Sequence, residues 1–273
     1  MADAHVREPE TGRRLRAKAR SKQRLRQVVY TWGSVLAGLA LWQIFSTFVV
    51  KNALFLATPF ASIAALGDLW HTGDLQRAMF VSGEEFAVGF LAAAVVGVLI
   101  GLGTATFERV SLSLTPWISG LYATPIIALA PLFILWFGIG IWSKIAVVFS
   151  LVIFPVIIST EAGIRQTDPT LLEAAKSFGA NQRQIFTKVS LPGAAPMILA
   201  GLRLGVGRGL IGVVVGELAG SRAGLGFVIN NASQVFNMPQ LFAAIIVLAV
   251  AGIVLTGGLQ RLEGILVPWK EGP

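Results

Sequence analysis

The sequence predicts an all-α membrane protein of about six transmembrane helices, with both termini on the cytoplasmic side. Three observations carry this. Hydrophobic residues make up 55% of the 273 and charged residues only 13%. The mean hydropathy is +0.73. Uncharged or nearly uncharged windows recur along the chain at bilayer length, and a hydrocarbon core of about 30 Å takes roughly 20 apolar residues per helical crossing. Such a composition excludes a soluble globular domain.

The windows run approximately over Val28–Val50, Phe86–Thr106, Leu112–Phe137, Ile141–Thr160, Ala194–Leu218 and Leu241–Leu259. Ahead of the first lies a basic tail, residues 1–27, holding Arg7, Arg13, Arg14, Arg16, Lys18, Arg20, Lys22, Arg24 and Arg26, nine of the 22 basic residues. Such a tail ahead of a long apolar segment marks a cytoplasmic terminus, so the formal charge of +8 reports orientation and no nucleic-acid partner is expected. The tail is too long and too charged for a secretory leader, and the segment behind it should remain as an anchor.

Alternating crossings from a cytoplasmic start divide the chain into the tail and a transmembrane domain over 28–273, with a cytoplasmic loop at about 161–192. Loop charges agree with that alternation. Glu161–Leu191 carries Arg165, Lys176, Arg183 and Lys188, whereas the outer turn Gly138–Ile141 is uncharged and flanked by Trp136 and Trp142. The third window contains Pro116, Pro125 and Pro131, each lacking a backbone donor, which predicts a bent helix shielded by neighbours.

Gly201, Gly205, Gly209, Gly212, Gly216 and Gly220 of the fifth window fall within an arc of about 100° on one helix face. A stripe of this kind lets a second helix approach closely, either from the same chain or from another subunit. Arg203, Arg208 and Glu217 share that window, and ionisable groups at such depth face a cavity or a partner. Arg208 lies beside the stripe and is the candidate to line a pathway and attract an anion; the competing role is snorkelling or binding backbone carbonyls. Arg203 and Glu217 lie opposite the stripe, about 21 Å apart along the axis, so each needs its own partner. Arg203 is placed to reach headgroups or the cytoplasmic loop.

Chemistry-bearing residues are few. There is no cysteine, and the two histidines, His5 and His71, lie outside the windows, which leaves no thiolate or histidine metal site. An intramembrane enzyme would want clustered His, Asp or Glu within the crossings, and the six windows hold none. No catalytic residue is assigned. The phosphate-cradling G-x-x-x-x-G-K-[ST] loop is missing as well, so this chain does not bind ATP through that motif.

The loop between the fourth and fifth windows is amphipathic and punctuated. Asp168 is placed as an N-cap with Pro169 in the first helical position, and Gly179 as the C-terminal left-handed residue, predicting a helix of about ten residues. Asn181 caps a second helix whose Ile185, Phe186 and Val189 form an apolar side, with Pro192 stopping it or restarting the chain as the next crossing.

At these residues the sequence resembles a known family. Glu173-Ala174-Ala175, three residues, Gly179, nine residues, Val189, one residue and Leu191-Pro192 are similar to the EAA loop of ABC-importer permeases, with Val189 where isoleucine is usual. The run Pro131–Gly140 with Ser143-Lys144, and the runs Gly201–Gly205, Val215–Glu217 and Gly224–Gly226, resemble the taurine, alkanesulfonate and nitrate branch. Glu85 departs from it, since a basic residue often precedes the Gly89-Phe90 pair.

The resemblance implies the type I importer permease fold in a bacterial inner membrane, with the loop's first helix coupling the crossings to a separate ATPase that holds ATP and magnesium. Glu173 would contact that ATPase, Ala174 and Ala175 would permit close approach, Gly179 would turn the chain, and Arg183, Leu191 and Pro192 complete the coupling set. It further implies an extracytoplasmic solute-binding protein and a small anion as cargo. One set of about six crossings needs a second permease copy to enclose a pathway, and a symmetric homodimer is the commonest closed assembly. A channel or secondary transporter would explain the crossings but not this loop.

Overall fold

The computed structural model describes Arg26, residues 29–52 and residues 54–268. The basic tail, apart from Arg26, lies outside the described residues. Contacts divide the chain into two units, Met1–Ala61 and Ser62–Pro273.

In the first unit, α1 (Val29–Val50) is long and apolar enough to cross a membrane. Its last turn, Phe45–Val50, widens to π geometry and ends at Lys51 with φ 52°. The Trp42 indole donates to the Ala57 carbonyl at 3.0 Å, tying the returning chain to the helix.

Helix α2 (Pro59–His71) leads into the second unit, which continues as α3 (Asp74–Thr106), α4 (Glu108–Ala123), α5 (Ala130–Phe137), α6 (Ile141–Arg165), α7 (Pro169–Ser177), α8 (Gln182–Ile185), α9 (Leu191–Gly220), α10 (Leu225–Gln234) and α11 (Met238–Leu266). The described residues contain no strand. Among the described residues, five helical segments meet the length and hydropathy of a crossing, or six if the α4–α5 pair counts as one.

The centre of this unit is α6, with 61% of its apolar window buried against 11% in α11. Val148, Val152, Ile153, Val156 and Ile157 of α6 pack with Phe86 and Ala93 of α3 and Val206 and Val213 of α9. Glycines on both flanking helices make the approach possible. A Cβ at Gly89 or Gly101 of α3 would come within 2.8 Å of Val148 or 2.6 Å of Thr160, and one at Gly201 would come within 2.5 Å of Ser159 Cβ. Gly205, Gly209, Gly212 and Gly216 face Val152, Phe86, Val148 and Lys144 in the same way, and Gly220 meets Ile134. The six-glycine face thus packs within the chain, chiefly on α6, which answers the choice the sequence left open.

Three boundaries differ from those read off the sequence, each for a local reason. The third window is broken rather than bent: α4 stops at Ala123, and an 83° turn precedes Ile126–Phe137. A residue before proline is pushed out of the helical region, and Thr124, before Pro125, has ψ 134°. The second window begins twelve residues late, because α3 extends outward to Asp74 through Arg77, Glu84 and Glu85. The fifth begins late too, since the helix runs unbroken from Gln182 to Gly220. Pro192 neither stops it nor restarts the chain. Phe186–Ser190 adopts a π turn, and the Leu191 amide reaches back five residues to the Phe186 carbonyl, so the ladder has already shifted where the proline donor is missing. The short helices α2 and α10 fall between the windows.

Candidate functional site

The loop carrying the Glu173 motif folds as its punctuation predicts. The Asp168 carboxylate accepts from the Thr170 amide at 2.8 Å, with Pro169 in the first turn. At the other end Gly179 has φ 78°, its amide bonds to Lys176 O at 2.9 Å, and Ala180 N bonds to Ala175 O at 3.0 Å. This double closure is the Schellman arrangement, which a Cβ at Gly179 would strain. Asn181 and Gln184 then form a reciprocal capping box that starts α8. Ile185 is buried and Phe186 and Val189 are half-buried, so the second helix is fastened by its apolar side.

Glu173, Ala174 and Arg183 are exposed, Ala175, Leu191 and Pro192 half-buried. Phe178 is 92% exposed and Leu171 57% exposed. A short helix held rigid at both ends thus presents a carboxylate, two alanines and two unpaired apolar side chains. Sequence reading had not singled out Leu171 and Phe178; their hydrophobicity beside a predicted cap was the available signal.

Of the three intramembrane charges, only one is open. Glu217 is 1% exposed. It accepts from the Ser82 hydroxyl at 2.5 Å and from the Gly226 amide, while the Leu225 amide donates to Ser82 Oγ at 2.8 Å. The α9 carboxylate therefore caps the first turn of α10 from below, in place of its own N-cap, Gly224, which has no side chain to do so. Gly224, at φ 109°, leaves the space the carboxylate fills. This accounts physically for the Glu217…Gly224-Leu-Gly226 run. Buried Glu85 and Lys144 complete a polar cluster around it. The two glutamates correct the expectation that no acidic groups gather within the crossings, an expectation that followed from starting the second window one residue past Glu85.

Arg203 does not reach toward headgroups or the loop; it pairs with Glu263 of α11. Arg208 is exposed, donates to the Tyr122 hydroxyl at 3.0 Å and stands 5.2 Å from the centre of that ring. Its hydrogen bond runs to that hydroxyl and not to a backbone carbonyl. It sits on an α4 aromatic with much of its guanidinium free, a cation–π arrangement. At the far end of α6, Arg165 pairs with Glu161 and donates to Thr104 O and Ser111 Oγ, joining α3, α4 and α6 just before α7 begins.

An all-helical, multi-pass membrane protein with a rigid capped knob between two crossings is the class that this geometry defines. The signature of the family described as "Binding-protein-dependent transport system inner membrane component" matches residues 93–270. The chain belongs to that family, and it is an ABC-importer permease subunit of the inner membrane. It is 37% identical over 233 residues to the putative aliphatic sulfonates transport permease protein SsuC of Bacillus subtilis, covering 85% of this chain and 84% of that protein. It is 31% identical to the taurine transport system permease protein TauC of Escherichia coli, over 89% of this chain and 90% of TauC. The formylaminopyrimidine transport permease protein ThiX of Halalkalibacterium halodurans is 32% identical over 85% of this chain and 92% of its own length. In fold, the chain is similar to a subunit of the MetNI methionine ABC transporter in inward-facing form, with a TM-score of 0.61 at 18% identity over 70% of this chain and 95% of that one.

Proposed function

We propose that this permease pairs with a second copy to enclose a pathway for a small anion of the sulfonate, taurine or nitrate kind. The loop over 161–192 couples the crossings to a separate ATPase, and a solute-binding protein delivers cargo at the opposite face. The basic tail and the Arg165 end of α6 then face the cytoplasm, and the Asp74 end of α3 faces outward. The observation that carries the reading is the capped knob: Glu173, Ala174 and Ala175 on a helix fixed at both ends, with Leu171 and Phe178 bare beside them. Bare apolar side chains at a rigid polar rim mark a docking surface. In this reading ATP and magnesium belong to the partner, and the sulfonate and taurine relatives support the cargo class.

Glu173→Lys tests the coupling. The variant should insert at normal abundance while its association with the ATPase weakens at least about tenfold, as loss of a charge-assisted contact demands. Normal uptake by this variant would remove the coupling role. The open guanidinium of Arg208 gives a second test. If it supplies positive potential to the pathway, Arg208→Lys keeps most uptake and Arg208→Gln loses it, at equal protein levels. Equal loss of protein in both variants would make Arg208 an anchor for Tyr122 instead.

A further inference from the structure

At the Asp74 end of the second unit, away from the coupling loop, a pocket of about 240 Å³ opens between α3, the Ser221–Gly224 turn, α10 and α11. It holds the volume of roughly eight liquid waters, enough for a solute of several heavy atoms. Arg77 comes from α3, Arg222 from the turn, Asn231 from α10 and Gln240 from α11, and Phe227 supplies an apolar wall. None of these four polar side chains makes a hydrogen bond or ion pair among the described residues. Asp74 also lines the pocket, and one of its oxygens already accepts from the Thr72 hydroxyl at 2.9 Å. Two guanidiniums against one carboxylate leave the site net positive.

Arginines left single on a surface are ordinarily solvated. Here two converge from separate elements on one concavity, and the element carrying Arg222 is fixed. The Ser221 hydroxyl bonds the Ala223 carbonyl at 2.7 Å, and Glu217 holds Gly226 immediately behind the turn. The guanidinium fork suits the oxygens of a sulfonate or carboxylate, the two amides add donors, and the Phe227 wall accommodates an apolar stem.

We infer that this pocket is a binding site for a small organic oxyanion on the outer face of the permease, met before the membrane interior. It rests on the preceding reading only for which face is outward. The experiment is a fluorine NMR titration of trifluoromethanesulfonate against the purified permease–ATPase complex in lipid nanodiscs. The wild-type complex should bind in the millimolar range or tighter. Arg77→Gln with Arg222→Gln should weaken binding at least about tenfold, the worth of one lost charge-assisted contact, while Arg77→Lys with Arg222→Lys retains most of it. No wild-type binding at millimolar probe, or equal binding by the double glutamine variant, overturns the site. Reduced association of the solute-binding protein with probe binding unchanged overturns it too, and makes the arginines a protein-docking surface. The same titration on the permease purified without the ATPase should give the same affinity, so a failure of the coupling proposal and a failure of this one give different results.

Discussion

Gly201→Leu should nearly abolish accumulation of folded permease, whereas Gly207→Leu on the same helix should leave it close to normal. A Cβ at Gly201 already falls 2.5 Å from Ser159 Cβ and 3.3 Å from the Pro155 carbonyl, and α6 has no room to retreat because α3 grips its other side through Gly89, Gly97 and Gly101. A leucine there must part α9 from α6, at a cost of roughly 3 kcal/mol or more. A Cβ at Gly207 meets nothing within 4 Å. The two variants carry the same change in helix propensity and hydrophobicity, so the difference between them isolates packing. Monodisperse protein in detergent and its thermal midpoint are the measurements. Equal yields from the two would show that the glycine face does not seat α6.

What could be read in the sequence was whatever depends on a few adjacent residues. Asp168-Pro169, Gly179 and Asn181 each determine a local backbone state, and all three perform as caps in the structure. The glycine face was legible as a face, since helical angle depends on spacing alone. Its partner was not, because nothing in spacing distinguishes α6 of the same chain from a neighbouring subunit.

Two of the boundaries failed where a proline met a larger constraint. Pro125 breaks its helix because Thr124 must leave the helical region, while Pro192 is absorbed by the π turn over Phe186–Ser190 just ahead of it. The sequence alone offers two prolines in apolar runs. The cluster around Glu217 was out of reach for another reason: Ser82 and Glu217 are 135 positions apart, and a serine in an apolar helix announces no partner.

That cluster gives the other large effect. Glu217→Ala should strip α10 of its cap and leave the Gly226 amide and the Ser82 hydroxyl without their acceptor in a nearly sealed site. Leaving buried donors without their acceptor costs about 1–3 kcal/mol each, together a large share of the stability of any domain. Glu217→Gln keeps an acceptor for one donor and should fall between. Ser82→Ala removes the hydroxyl that both donates to Glu217 and accepts from the Leu225 amide, and alone should cost about 1–3 kcal/mol. If the two residues act as one device, the double variant will be less damaging than the sum of the singles, with a coupling of about 1 kcal/mol or more in thermal or denaturant unfolding. Additive losses would mean that Glu217 and Ser82 stabilise α10 independently. Normal abundance of Glu217→Ala would mean that this carboxylate is not structural at all, and would return it to the candidates for the translocation pathway.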